Sequence, residues 1–172
     1  AGDHFMAGGD IKEFHSMVKE LPEARERAFG KLIGELINPA VEILRALPQP
    51  VVGKIRGACA GFGFSLMAGC DLALAADNAY FTTGYSLLGT TADGGGTYFL
   101  PRLVGAKKAA ELTLLAERLD AHQPVLGPLL GRSQWTPRSG ERDRPGPARW
   151  RDRLSDWRHA HRHGPRDARQ PR

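Results

Sequence analysis

The residues best suited to chemistry fall in two glycine-rich stretches. The first runs Gly57-Ala58-Cys59-Ala60-Gly61-Phe62-Gly63-Phe64-Ser65-Leu66-Met67-Ala68-Gly69-Cys70-Asp71. A β-rich run from Val51 to Ile55 leads into it, and Phe64 to Ala68 reads as the start of a buried helix. A strand, a glycine turn and a helix leave free backbone N–H groups at the helix N-terminus, where negative charge is favoured. Such a turn holds a phosphate or a developing oxyanion, or it only packs a helix closely on a sheet. Spacing alone does not choose. Ser65 is either a nucleophile or a buried helical hydroxyl. Gly63 to Met67 lacks the second glycine of a nucleophile elbow, which favours the hydroxyl.

The second stretch is Gly89-Thr90-Thr91-Ala92-Asp93-Gly94-Gly95-Gly96-Thr97. It feeds a helix, and Asp93 reads from spacing as that helix's N-cap, with proton transfer as the alternative. Tyr85, eight residues upstream, either donates a hydrogen bond to a substrate or lines a pocket. No Gly-Lys-Ser/Thr follows the three glycines, so this is not a Walker phosphate loop. Cys59 and Cys70 sit in apolar context and read as buried free thiols. His159, His161 and His163 have metal-like spacing but lie in a basic tail, and no metal site is expected.

The elements that must position these residues alternate. Residues 1–9 form a loop that holds His4, an exposed residue by this reading. Asp10 caps a short helix with Ile11, Phe14 and Val18 on one face. Apolar residues from Phe29 to Leu47 recur at helical spacing, so Glu23 to Leu47 reads as one long helix, kinked or broken at Pro39. Strands are expected at 51–55, 72–76 and 79–83, the second apolar on both faces as a doubly covered sheet requires. Helices follow at about 64–69, 98–104 and 106–116, with Pro101 bending the second of these and Gly105 between the last two. Asp71 ties down the turn between helix and strand. The alternation argues an α/β fold.

The 172 residues suit one domain with a real core, and no run of 18 apolar residues spans a membrane. No signal peptide is visible, and a cytoplasmic location is expected. The net charge of +5 is unevenly placed. Residues 1–122 carry six Lys and six Arg against fourteen acids, a net of −2. Residues 123–172 carry twelve Arg and no Lys against five acids, a net of +7. The globular part therefore has no footprint for nucleic acid. From Gln123 the periodic apolar pattern is expected to end. Arg, Pro and Gly dominate, and Trp135, Trp150 and Trp157 all fall there. The switch from Lys to Arg points to a lost reading frame near Gln123, or to a disordered basic arm.

Three motifs stand in order along residues 1–122: Phe5-x-Ala7-Gly8-Gly9-Asp10; Gly57-x-x-x-Gly61-x-Gly63 followed after seven residues by Asp71; and Asp93-Gly94-Gly95-Gly96-Thr97-x-x-Leu100-Pro101-Arg102-x-x-Gly105. On these the chain resembles the crotonase (enoyl-CoA hydratase/isomerase) superfamily. The resemblance implies a spiral of ββα turns, a homotrimer or hexamer, and an acyl-CoA substrate with no further cofactor. It implies an oxyanion hole made by the backbone N–H groups of Gly9 and Phe62, and coenzyme A contacts at Lys12 and Asp10. The two glutamates that hold water in hydratases fall on Ser65 and Tyr85, neither of which is a base near neutral pH unaided. Ser65 and Tyr85 are then substrate contacts at most. Asp93 falls where related isomerases carry an aspartate. The resemblance therefore favours isomerisation through an enolate, with Asp93 moving the proton, over hydration or CoA-ester binding alone. It also implies elements before the Phe5 loop and after residue 122 that this segment lacks, and hence a core that folds poorly or is inactive as written.

Overall fold

Two successive strand–strand–helix units carry both glycine stretches. A computed structural model describes residues 2–17 and 19–130. Ala1, Val18 and residues 131–172 lie outside the described residues, and with them the expectations for the basic tail, its three tryptophans and its three histidines. In the first unit, β1 (Val52–Ile55) is followed by β2 (Ala58–Ala60) and by α4 (Phe62–Gly69). In the second, β3 (Leu72–Ala75) and β4 (Tyr80–Thr82) lead through a 3₁₀ turn (Ser86–Leu88) to α5 (Gly96–Val104). Like strands pair in parallel: Val52 lies opposite Leu72 in one sheet, and Cys59 opposite Phe81 in the other. This is the expected α/β spiral, repeated twice.

The chain before and after these units is helical. α1 (Ile11–Met17) and α2 (Pro22–Lys31) precede a π-helical turn (Leu32–Ile37) and α3 (Asn38–Ala46). The expected kink or break at Pro39 takes the form of a π turn just before the proline, and the helical run from Pro22 to Ala46 is not interrupted. Pro39 has no N–H for the carbonyl four residues back, and Asn38 donates five residues back, to Ile33 O. The wider turn accommodates the proline, whose missing N–H leaves a strict α ladder one bond short. After α5, α6 (Ala106–Leu115) leads to β5 (Leu119–Asp120), which adds antiparallel to β4.

Three sequence expectations change at the level of elements. β2 was hidden in the glycine turn, because Ala-Cys-Ala between glycines carries no strand-like alternation. β3 is not covered on both faces among the described residues: Ala73 and Ala75 are buried, whereas Leu72 is 55% exposed. Its pleat sends alternate side chains to opposite faces, and one of those faces is open here. The apolar pattern also continues past Gln123. A 3₁₀ turn (Pro124–Leu126) and α7 (Gly127–Leu130) bury Leu126, Leu129 and Leu130 against the core that holds Ile55, Phe64 and Phe81. The run is too short to show a period in the sequence. The core sits between the sheets and helices α4, α5 and α6.

Candidate active site

The loop from Phe5 to Asp10 runs alongside β2. The Phe5 N–H donates to Arg56 O at 2.8 Å, the Met6 N–H to Ala58 O at 3.1 Å, and the Ala60 N–H to Met6 O at 2.9 Å. Met6 thus pairs in parallel with Cys59. His4 is exposed, as read from the sequence, but it is also structural: its Nδ1 accepts the Ala58 N–H at 3.0 Å. Nothing in the sequence signals that bond.

The pairing delivers the next two residues beside the start of α4. A Cβ on Gly8 would lie 3.5 Å from the Phe62 nitrogen. A Cβ on Gly63 would collide with Met6 O, so glycine is required for the two backbones to approach. Phe62 is the first residue of α4, and its N–H lacks an intrahelical acceptor. Among the described residues, neither the Phe62 nor the Gly9 N–H donates to a protein acceptor. Two uncommitted donors on adjacent backbones suit a developing oxyanion.

The second cluster joins three segments far apart in sequence. The Tyr85 hydroxyl donates to Asp93 Oδ1 at 2.6 Å. Ser65 Oγ lies 3.0 Å from the same Tyr85 oxygen. With the Tyr85 proton on Asp93, Ser65 is the donor of that pair. Ser65 is 1% exposed and Tyr85 8%, whereas Asp93 is half-buried. Burial and the hydrogen bond to Asp93 push the Tyr85 phenol well above its ordinary value, so it stays protonated and acts as a donor. Asp93 does not cap α5 with its side chain; Gly95 occupies the N-cap and no side chain bonds the free amides. The Asp93 carboxylate instead turns toward Tyr85, and its Oδ2 has no protein partner among the described residues.

The clusters share a wall. A Cβ on Gly94 would lie 2.5 Å from the Phe62 ring, and one on Gly96 2.5 Å from Ser65 Oγ. The start of α5 is thus pressed onto the start of α4. The family resemblance brings Ser65, Tyr85 and Asp93 to one site, but the hydrogen bonds that link them are set by the turns between them.

The remaining candidates have plainer surroundings. Asp10 Oδ1 accepts the Lys12 N–H at 2.8 Å and the Glu13 N–H at 3.4 Å, which caps α1. The Lys12 side chain is exposed, three residues beyond Gly9. Asp71 does tie down its turn: it pairs with Arg45 at 3.0 Å and accepts the Val51 N–H at 2.8 Å. Cys59 and Cys70 are free; Cys59 is buried and Cys70 only half-buried. Burial pushes both thiols up, which makes them inert. Among the described residues, no His/Cys/Asp/Glu group has metal-site geometry, and no helix is long and apolar enough to cross a membrane.

With both clusters in place, the comparison with known proteins is direct. The family model for enoyl-CoA hydratase/isomerase matches residues 1–124. The chain belongs to the enoyl-CoA hydratase/isomerase family. It is 37% identical over 123 residues to the 1,2-epoxyphenylacetyl-CoA isomerase of Escherichia coli K12, covering 72% of this chain and 45% of that protein. It is 29% identical over 123 residues to enoyl-CoA delta isomerase 2 of Rattus norvegicus, covering 72% of this chain and 30% of that protein. Among solved structures, an enoyl-CoA hydratase from Polaromonas sp. JS666 superposes with a TM-score of 0.64 at 36% identity. That match covers 74% of this chain and 47% of that one. The chain therefore spans less than half the length of these relatives. The members of the family are enzymes, and the fold is the crotonase-type α/β spiral.

Proposed function

We propose that the protein is an acyl-CoA isomerase that shifts a proton next to a thioester. The observation that carries this reading is the Tyr85–Asp93 hydrogen bond of 2.6 Å, which holds the cluster's only carboxylate with one oxygen free. In the proposed reaction, Asp93 takes a proton from the carbon α or γ to the thioester carbonyl. The electron pair left behind delocalises onto the carbonyl oxygen as an enolate or dienolate. The Gly9 and Phe62 N–H groups hold that charge, each contributing about 3–4 kcal/mol. Asp93, now a carboxylic acid, returns the proton at a different carbon, and no group is gained or lost. Lys12 is proposed to face the phosphates of coenzyme A, with Asp10 fixing the helix that carries it. No cofactor beyond the substrate's own coenzyme A is invoked. On the family resemblance, the whole protein is proposed to be a cytoplasmic homotrimer or hexamer.

Hydration is the second reading, because the Polaromonas relative bears that name. It needs a base to hold water, and Ser65 and Tyr85 stand where the cluster would supply one. The test is Asp93→Asn, assayed with a set of enoyl-CoA esters in D₂O by NMR. The expected result is a loss of carbon–hydrogen exchange and double-bond migration by roughly 10²- to 10⁴-fold, with CoA-ester binding retained. Exchange at the wild-type rate removes Asp93 from the mechanism. A 3-hydroxyacyl product from the wild type establishes hydration instead. Binding without any turnover leaves a CoA-ester-binding protein.

A further inference from the structure

We infer that Tyr85 is a positioning residue for Asp93, with Ser65 fixing the direction of its proton. This rests on the isomerase reading and assigns both residues a role away from the substrate. The geometry is a directed chain: Ser65 Oγ, then Tyr85 Oη at 3.0 Å, then Asp93 Oδ1 at 2.6 Å. Each hydroxyl has one proton. Tyr85 spends its own on Asp93, so the Ser65 proton goes to Tyr85. Oδ1 is therefore held and Oδ2 is the oxygen left to meet a carbon-bound proton.

The surroundings fix this chain. Ser65 and Tyr85 are almost wholly buried, and Gly96 backs onto Ser65 so closely that a Cβ there would overlap its hydroxyl. Asp93 itself is on a loop flanked by the left-handed residues Gly94 and Gly95, where no helical hydrogen bond holds its side chain. A carboxylate on such a loop needs an anchor if it is to take a proton from one carbon and return it to another. Tyr85 supplies that anchor from the N-cap of the 3₁₀ turn that follows β4. With both hydroxyl protons committed, neither hydroxyl is left to donate to a substrate or a water, and Asp93 is the only carboxylate of the cluster.

The test compares Tyr85→Phe, Ser65→Ala and Asp93→Asn with the wild type, measuring kcat, KM and carbon–hydrogen exchange for one enoyl-CoA ester. Removing the anchor misplaces a reacting group, and a misplacement of about 1 Å costs on the order of 100-fold. Tyr85→Phe is expected to lower kcat roughly 10- to 100-fold with KM changed less than about twofold. Ser65→Ala is expected to lower kcat several-fold in the same pattern. It decides the question if Tyr85→Phe does not fold. A variant that raises KM and spares kcat makes these residues substrate contacts and overturns the inference. Unchanged kcat in a folded Tyr85→Phe protein, with Asp93→Asn inactive, overturns the inference and leaves the isomerase reading standing. Unchanged turnover in Asp93→Asn overturns that reading and the inference with it.

Discussion

The two sides of the candidate site are built differently. Gly61 to Gly69, together with the start of α5, lies in the packed core; five of the eight residues of α4 are buried. Among the described residues of the helices from Ile11 to Ala46, none is fully buried, and Leu36 and Ile43 are 63% and 65% exposed. Phe62 and the hydroxyl chain belong to the packed side, whereas Gly9 is exposed in the loop that leads into α1. A groove of about 500 Å³ lined by Phe14, Met17, Phe29 and Leu32 belongs to the open side. The contrast separates tasks. Groups that act on charge and protons need fixed geometry, whereas a wall of loosely packed apolar side chains can change without disturbing them.

That contrast is open to attack from either side. The sharpest blow is Gly63→Ala, because its methyl would meet the carbonyl of Met6 rather than a movable side chain. A loss of roughly 2–3 kcal/mol is expected, seen as a lower urea midpoint at unchanged slope. A tolerated alanine would show that the two backbones are not tightly locked. Alkali attacks the same region more gently. Tyr85 holds its proton more tightly folded than unfolded, so its contribution is whole below its ordinary value of 10.0 and is lost as pH rises past it. The slope it adds is at most about 1.4 kcal/mol per pH unit. Urea melts at successive pH values should show that slope flattened in Tyr85→Phe. The smallest effect belongs to the open side: Leu36→Gln is expected to shift stability by less than about 0.5 kcal/mol. A loss as large as that of Gly63→Ala would mean these helices are as firmly packed as the core.

The sequence made the packed side partly readable. The glycines at 57, 61 and 63 announce a tight turn that packs a helix closely, and the run from Phe64 to Ala68 announces a buried helix. Asp71 was legible as a tie because it ends that helix. What stayed hidden depends on distance in sequence. The His4–Ala58 bond joins residues 54 apart, and the Ser65–Tyr85 bond residues 20 apart. No periodicity encodes such contacts. β2 and α7 were missed because three or four residues are too few to display a period. The π turn escaped for a related reason: Pro39 signals a disturbed ladder but not how the neighbouring residues absorb it.

The parallel pairing of Met6 with Cys59 holds the loop from Phe5 to Asp10 beside the start of α4 in main-chain terms alone. On the proposed function, descent can then rewrite positions 65, 85 and 93 while the main-chain donors proposed to hold a carbonyl oxygen pass on unaltered. Such a lineage is free to exchange one reaction for another without first losing the ability to bind the charge they share.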